Sequence, residues 1–194
     1  FLDLKLDRER LHEYRWASNN SVVASVGMDY AGIARRTAVN GEPGYFWLDN
    51  ARAHGRMKDP PNWADAPAAG SNPCMEQTLW DRELCCLVET YPARHDSYAD
   101  FRETLRLAYL YAKTVTLVAT HDARTNAVML RNRRIGCSMT GIVQAITRHG
   151  YRRFFRWCDD AYGYIQQLDK EYADWLCVPR SIKTTSVKPS GTVS

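Results

Sequence analysis

The chain has 194 residues, of which 45% are hydrophobic and 25% are charged, and its net charge is +4. These values are typical of a soluble globular protein and exclude a disordered or collagen-like chain. No stretch approaches the roughly 20 apolar residues of a membrane span. Six cysteines without a CxxC pair disfavour a disulfide scaffold or zinc ribbon, which favours a cytoplasmic location. The mild basicity suits an anionic small molecule better than nucleic acid.

Hydrophobic periodicity and turn residues predict that helices and strands alternate along the chain. The turn-rich stretch 40–44 and the proline-containing stretch 55–72 are predicted loops, and long loops in compact domains are often functional. Strands that alternate with helices indicate an α/β fold with a parallel component. Helical patterns cover residues 1–17, 28–39, 98–120, 138–149 and 154–175, and strand-like runs cover residues 22–24, 45–48, 84–89 and 181–187.

The two ends of the sequence suggest a partial chain. It begins at Phe1 without a Met, within charged sequence, and it stops at Ser194 in a glycine-containing turn. We therefore expect residues 1–194 to be a fragment of a single catalytic domain that is truncated at both ends.

Asn72, Cys74 and Glu76 form the most informative motif, because an amide, a thiol and a carboxylate occur at every second residue. In an extended backbone these three side chains share one face. A thiol can act as a nucleophile or a hydrogen-atom carrier, a carboxylate can take a proton from a hydroxyl, and an amide can bind a substrate hydroxyl. On spacing alone, the alternative is a solvated loop with an incidental cysteine.

Cys85 and Cys86 are adjacent, so in a strand only one of them can face the same site as Cys74. Each is either a buried structural thiol or a redox thiol whose partner comes from elsewhere in the fold. The remaining cysteines lie among apolar and aromatic residues, which predicts that they pack in the interior. These are Cys137, Cys158 and Cys177.

The C-terminal segment 189–194, PSGTVS, follows a predicted strand and offers hydroxyl and backbone N–H groups that can bind phosphate. Lys188 beside it favours an anion, and an ordinary strand-to-helix turn fits the sequence equally well.

Two basic runs lie at 131–134 and 148–156. The second mixes arginines with aromatic residues, which is typical of a nucleic-acid-binding module or of a helix with one solvated and one core face. No pair of histidines has metal-site spacing.

Six blocks of sequence resemble the catalytic chain of ribonucleotide reductases, most closely the adenosylcobalamin-dependent ribonucleoside-triphosphate reductases. They occur in the order that the family has, and NPCxE followed by a second cysteine eleven residues after Cys74 is a specific feature. The blocks are RWASNNSVVAS (15–25), NGEPGYFWLDNAR (40–52), SNPCMEQTL (71–79), CCLVETYP (85–92), TNAVMLRNRRIG (125–136) and VPRSIKTTSVKPSGTVS (178–194).

The resemblance implies a role for each candidate residue. Cys74 would carry the thiyl radical that removes the 3′ hydrogen of the substrate ribose. Glu76 would be the general base on the 3′ hydroxyl, and Asn72 would hydrogen-bond the same part of the sugar. Cys85 would be one of two thiols that reduce the 2′ position and end as a disulfide. The substrate phosphates would be bound by Ser190, Gly191, Thr192 and Ser194.

The resemblance also implies a fold, a cofactor and partners. The family fold is a ten-stranded α/β barrel with the NPCxE segment on a loop inside it, and this chain would supply part of that barrel. The implied cofactor is adenosylcobalamin. The implied partners are a ribonucleoside triphosphate substrate, thioredoxin or a similar dithiol reductant, and a deoxynucleotide effector. The second redox cysteine is expected before Phe1, so we expect residues 1–194 alone to be inactive.

Two alternatives remain open from the sequence. One is a ribonucleoside-diphosphate reductase whose radical comes from a separate metal-containing subunit, because its core motif would be the same. The other is a basic nucleic-acid-binding module built on residues 148–156, which predicts salt-sensitive binding of DNA or RNA. The second alternative leaves NPCxE and PSGTVS unexplained.

Overall fold

The computed structural model describes residues 3, 5–13 and 18–188. The chain divides into two compact units, residues 1–78 and residues 79–194. Each unit contains a pair of parallel strands together with helices, which confirms the predicted α/β class. Among the described residues, no helix is both long enough and apolar enough to cross a membrane.

A β–α–β arrangement organises the first unit. Strand β1 (Ser21–Val23) pairs in parallel with β2 (Gly44–Phe46), and helix α2 (Ala31–Asn40) connects them. Gly41 ends α2 in the left-handed conformation with a φ of 83°, which glycine adopts without a steric penalty. The other elements of this part of the chain are α1 (Arg8–Leu11), α3 (Leu48–Ala53), β3 (Gly70–Ser71) and β4 (Thr78–Leu79).

In the second unit, a long helix packs against a second parallel strand pair. Strand β5 (Leu87–Thr90) pairs with β6 (Gly136–Met139), and helix α4 (Tyr98–Val115) contacts both strands and helix α7 (Tyr151–Leu176). A 3₁₀ turn (Pro92–Arg94) and helices α5 (Ala123–Asn132) and α6 (Ile142–His149) complete the unit. Its core is built from apolar residues at helical spacing on α4 and α7 and from two cysteines: Phe101, Leu105, Tyr109, Phe154, Trp157, Ile165, Leu168, Cys86 and Cys137.

Asp169 on α7 links α4 to the segment that follows α7. Its Oδ1 accepts hydrogen bonds from Lys113 Nζ at 2.7 Å and from the Tyr109 hydroxyl at 2.8 Å, and its Oδ2 accepts from the Ser181 amide at 2.9 Å. Burial lowers the pKa of Lys113, and the hydrogen bond to Asp169 opposes this shift. Burial raises the pKa of Tyr109. The phenol therefore stays protonated and donates to the carboxylate.

Glu83 and Arg134 form an ion pair in which both side chains are fully buried. Arg134 donates from Nε and Nη2 to the two carboxylate oxygens, at 3.0 Å each. Asn132 Nδ2 donates to Oε1 at 3.1 Å, and the Trp80 amide donates to Oε2 at 2.8 Å. Both carboxylate oxygens are thus hydrogen-bonded, as a buried charge requires. The pair connects the segment before β5 to the segment before β6.

The ends of several elements differ from the sequence prediction. Leu48 begins helix α3, whereas the sequence predicted that it ends a strand. The helix predicted from residue 138 begins only at Ile142, because Gly141, with a φ of 79°, separates β6 from α6. Of the helix predicted at 1–17, the described residues confirm only Arg8–Leu11.

The strand predicted at 181–187 is wrong, since the described part of this segment forms a single parallel bridge, between Thr185 and Cys137. The segment still runs beside β6. The amide of Ile135, just before β6, donates to the carbonyl of Lys183, and the amide of Cys137 on β6 donates to the carbonyl of Thr184. Successive carbonyls of a regular strand point in opposite directions. Because the neighbouring carbonyls of Lys183 and Thr184 both face β6, the regular pattern of hydrogen bonds between strands is interrupted here.

We expect Glu83→Gln to destabilise the full-length gene product that contains this chain by about 3–5 kcal/mol, because it leaves the Arg134 charge buried without its counter-charge. The free energy of unfolding in urea measures the loss. The control is Glu103→Gln, which breaks an exposed ion pair with Arg106 and should cost at most about 1 kcal/mol. Equal losses for the two variants would contradict the assignment of Glu83 as a structural anchor.

Candidate active site

Residues 72–77 form a tight turn between the paired strands β3 and β4. The Asn72 amide donates to the Gln77 carbonyl and the Met75 amide donates to the Asn72 carbonyl, both at 3.0 Å. The Asn72 side chain closes the turn from within. Its Oδ1 accepts from the Gln77 amide at 3.1 Å, and its Nδ2 donates to Glu76 Oε1 at 2.8 Å. Cys74 lies in the middle of the turn and is exposed.

The expectation that Asn72, Cys74 and Glu76 share one face of an extended segment is therefore wrong. Pro73 favours a turn, and Met75 has a φ of 68°, which no extended strand contains. The turn nevertheless brings Asn72 and Glu76 together. An extended chain would separate two residues at this spacing by about 13 Å. Asn72 and Glu76 are thus in contact through a turn, with the exposed Cys74 between them in the sequence.

Glu76 has one carboxylate oxygen that is hydrogen-bonded and one that is not. Oε1 accepts the hydrogen bond from Asn72, whereas Oε2 is buried and has no hydrogen-bond partner among the described residues. Buried carboxylate oxygens are usually hydrogen-bonded, and exceptions often mark functional sites. Oε2 is therefore the atom of this turn best suited to accept a proton or hydrogen bond from a ligand.

A cavity of about 510 Å³ adjoins the turn within the first unit. One side is formed by Asn72, Pro73 and Met75 of the turn, and another side by Asn19 and Ser21 at the start of β1. Asn19, Ser21 and Asn72 contribute amide and hydroxyl groups to the lining, and Val22, Val23 and Phe46 contribute apolar surface. A polar molecule with hydroxyl groups suits such a lining.

Cys85 and Cys86, which directly precede β5, have opposite exposures, as the sequence predicted for adjacent residues of an extended segment. Cys85 is exposed and Cys86 is buried in the core. Burial, together with the neighbouring Cys85, raises the pKa of Cys86 to about 11. The Cys86 thiol is therefore protonated and unreactive near neutral pH, which leaves Cys85 as the accessible thiol of the pair.

The three remaining cysteines were predicted to pack in the interior, and this is correct for one of them. Cys137 is buried on β6, and burial raises its pKa to about 12. Cys158 is half-buried, whereas Cys177 is exposed. The prediction for Cys177 is wrong because this residue ends α7 in the left-handed conformation with a φ of 54°, outside the packed face of the helix.

Sequence reasoning overlooks Glu89. This residue follows Cys85 by four positions, and Glu76 follows Asn72 by the same number. Glu89 lies on β5 opposite Ser138 of β6. Its Oε1 accepts from the Thr140 hydroxyl at 2.6 Å and from the Ser138 hydroxyl at 3.4 Å. Side chains alternate between the two faces of an extended chain, so Glu89 lies on the same face as Cys85. Glu89 is also near the carboxyl end of the strand pair, where α/β folds bind ligands.

The predicted phosphate-binding residues lie outside the described residues. They are Ser190, Gly191, Thr192 and Ser194. The described segment that leads to them runs beside β6 in the parallel direction, through the bridge between Thr185 and Cys137. This direction leads the chain toward the carboxyl end of the strand pair.

The two basic runs differ in exposure. Arg133 and Arg134 are buried in the second unit. In the run 148–156, Phe154 is buried in the core, and Arg148 donates to the Ala93 carbonyl and pairs with Asp96. The interpretation as a helix with one solvated basic face and one aromatic core face fits this arrangement. Among the described residues, no cluster of three or more His, Cys, Asp or Glu side chains is placed to bind a metal ion.

We expect iodoacetamide to alkylate Cys74 and Cys85 in the native full-length protein at pH 8 much faster than Cys86. The reason is that Cys86 is buried and its thiolate fraction rises only as the pH approaches about 11. Peptide mass spectrometry at a series of reaction times measures each rate, and urea-unfolded protein is the control in which the rates converge. Native labelling of Cys86 as fast as that of Cys85 would contradict this assignment.

No protein-family model matches the sequence. The chain is 52% identical over 196 residues to the adenosylcobalamin-dependent ribonucleoside-triphosphate reductase of Euglena gracilis. It is 36% identical over 222 residues to the enzyme of the same name from Lactobacillus leichmannii. Both alignments include the whole chain, which spans only 27% and 30% of the length of these relatives.

Comparison with solved structures agrees with the sequence comparison. The chain superposes on a crystal structure of a B-12-dependent (class II) ribonucleotide reductase with a TM-score of 0.86 and 33% identity. This match covers 98% of the chain and 30% of that structure. The α subunit of the Actinobacillus ureae class Id ribonucleotide reductase shares the fold, with a TM-score of 0.59 and 17% identity. The chain is thus homologous over its whole length to a segment of the adenosylcobalamin-dependent ribonucleoside-triphosphate reductases.

Proposed function

We propose that this chain carries part of the catalytic centre of an enzyme that reduces ribonucleoside triphosphates to 2′-deoxyribonucleoside triphosphates. The turn at residues 72–77 carries this proposal, because it holds an exposed thiol two residues before a carboxylate with one unpartnered oxygen. A hydrogen-atom carrier and a proton acceptor are two of the groups that radical reduction of a ribose requires. Homology to reductases of this name supports the same assignment.

The residues of the turn divide the chemistry between them. The Cys74 thiyl removes the hydrogen atom from C3′, so that a C–H bond breaks and an S–H bond forms. Glu76 Oε2 accepts the proton of the 3′ hydroxyl, and the 2′ hydroxyl leaves as water. Two thiols supply two electrons and two protons, one of which leaves with the 2′ hydroxyl as water, and they become a disulfide. Glu76 returns its proton to the 3′ oxygen. Cys74 then returns its hydrogen atom to C3′, which regenerates the thiyl.

Asn72 orients Glu76 in this scheme. Its Nδ2 donates to Oε1 at 2.8 Å, so the carboxylate is fixed with Oε2 directed away from the amide. Asn72 is also proposed to hydrogen-bond the substrate sugar, since an amide side chain both donates and accepts hydrogen bonds. The proposed contact between Asn72 and the sugar is therefore compatible with its role in closing the turn.

Cys85 is proposed as one of the two reducing thiols because it is exposed while its neighbour Cys86 is buried and protonated. Its disulfide partner is proposed to come from a part of the protein before Phe1. A dithiol protein such as thioredoxin would then restore both thiols by disulfide exchange. A deoxynucleotide effector remains an expectation from the resemblance.

Adenosylcobalamin, when bound, supplies the radical that converts the Cys74 thiol to a thiyl. The turn fits such a source because the Cys74 thiol is exposed within this chain. Cys74 is the residue that would contact it.

The two parallel strand pairs are proposed to be parts of the ten-stranded barrel of these reductases. Ser190, Gly191, Thr192 and Ser194 are proposed to bind the substrate phosphates there. The path of the preceding residues supports this, since they run parallel to β6 toward its carboxyl end. Glu89 lies near the same end and could contact the substrate.

We expect Cys74→Ser to abolish conversion of CTP to dCTP by the full-length gene product with adenosylcobalamin and a dithiol, because an alcohol cannot serve as a thiyl carrier. Glu76→Gln should lower kcat by about 10²–10⁴-fold, since the amide keeps a hydrogen-bond acceptor for Asn72 but cannot take a proton. Cys177→Ser, which changes an exposed cysteine in the second unit, is the control and should retain activity.

The same assay discriminates between the alternatives. Product formation that requires adenosylcobalamin supports the proposal. Product formed without it would indicate a different source of the radical. Turnover that survives Cys74→Ser would refute the proposed role of this turn.

A further inference from the structure

Two side chains at the start of β1 contact the residues on either side of Cys74. Asn19 Nδ2 donates to the carbonyl of Pro73 at 2.8 Å, and the Ser21 hydroxyl donates to Met75 Sδ at 2.7 Å. These contacts join residues more than fifty positions apart in the sequence. The turn is therefore anchored to the first strand pair directly before and directly after its thiol.

Strand β2 completes this anchor. Gly44 lies opposite Ser21 in the parallel register, and a Cβ at Gly44 would come within 3.1 Å of Ser21 Oγ and 3.3 Å of Met75 Sδ. The Met75 side chain thus occupies the space above the Ser21–Gly44 pair, where the absence of a side chain at Gly44 leaves room for its sulfur.

The backbone of Met75 shows why such an anchor is needed. Met75 has a φ of 68°, a left-handed conformation that is unfavourable for residues with a side chain. Such conformations persist where the surrounding structure imposes them, and they are enriched at functional sites. The contact of the Met75 side chain with Ser21 is positioned to hold this residue in that conformation.

We propose that Asn19 and Ser21 are positioning residues that fix the Cys74 thiol relative to the substrate C3′. This inference rests on the proposed radical chemistry of Cys74. Neither residue touches the reacting atoms. Each acts through the backbone neighbour of the cysteine, Asn19 through Pro73 and Ser21 through Met75. The proposed positioning role also gives a structural reason for residues of two sequence blocks, SNNS (18–21) and GEPG (41–44), which the chemistry alone does not explain.

The variants Asn19→Asp and Ser21→Ala test the proposal in the full-length gene product. Asn19→Asp keeps the shape of the side chain but places a carboxylate oxygen against the Pro73 carbonyl. Ser21→Ala removes only the hydroxyl. The matched controls are Asn62→Asp, at an exposed residue whose Oδ1 accepts from the Ala64 amide as an Asp would, and Ser25→Ala, at an exposed serine.

We expect each anchor variant to lower kcat by about 10–100-fold, because small displacements of a reacting group are costly, while KM for CTP stays within about 2-fold. The deuterium isotope effect on kcat with [3′-²H]CTP should increase, since hydrogen transfer to a displaced thiyl becomes more rate-limiting. The control variants should match the wild type in all three quantities. A purely structural role would lower the amount of folded enzyme without changing the isotope effect.

A double-mutant cycle tests whether Ser21 acts through the methionine sulfur. Met75→Leu removes the acceptor and keeps the volume, so Ser21→Ala combined with Met75→Leu should be no slower than Met75→Leu alone. Additive losses would overturn this part of the proposal. Because Ser21→Ala removes a single oxygen, it keeps the test valid even if Asn19→Asp does not fold.

The outcomes separate this inference from the proposed function. If Cys74→Ser is inactive but both anchor variants behave like their controls, the anchor is refuted and the role of Cys74 stands. If Cys74→Ser is active, the proposed function fails, whatever the anchor variants show.

Discussion

Asn72 uses both its backbone and its side chain to close the turn that carries Cys74, and the geometry of the site depends on this closure. Its amide and carbonyl bond to Gln77 and Met75, and its side chain bonds to the Gln77 amide and to Glu76. One residue therefore sets the shape of the turn, the orientation of the carboxylate and the exposure of the thiol between them. Replacing a single partner of such a buried network affects all of its other members.

The second unit presents Cys85 by a different means, through buried charge. The bidentate Glu83–Arg134 pair connects the segment before Cys85 to the segment before β6, and it is fully removed from solvent. A pair of this kind adds little net stability but makes the loss of one partner costly. It therefore specifies one arrangement of the two segments, which leaves Cys85 exposed and Cys86 in the core.

Periodicity and composition predict the class of the fold and most of its helices, because the core is built from apolar residues at helical spacing, as on α4 and α7. They fail where distant groups decide the structure. The burial of Lys113 follows from Asp169, a residue fifty-six positions away, which no local pattern reveals. Likewise, spacing identifies Asn72, Cys74 and Glu76 as a motif but does not reveal the turn that they form, in which the left-handed Met75 contacts Ser21 and lies against Gly44, both distant in the sequence.

A crystal structure of the full-length gene product with a bound ribonucleoside triphosphate would show whether the 72–77 turn holds the reacting groups. We expect Cys74 Sγ to lie within about 3.5 Å of the substrate C3′, the separation from which a group can react. Glu76 Oε2 should lie within about 3.2 Å of the 3′ oxygen, which is hydrogen-bond distance. A substrate whose ribose lies away from this turn, with Glu76 Oε2 bonded to a protein donor instead, would contradict the claim.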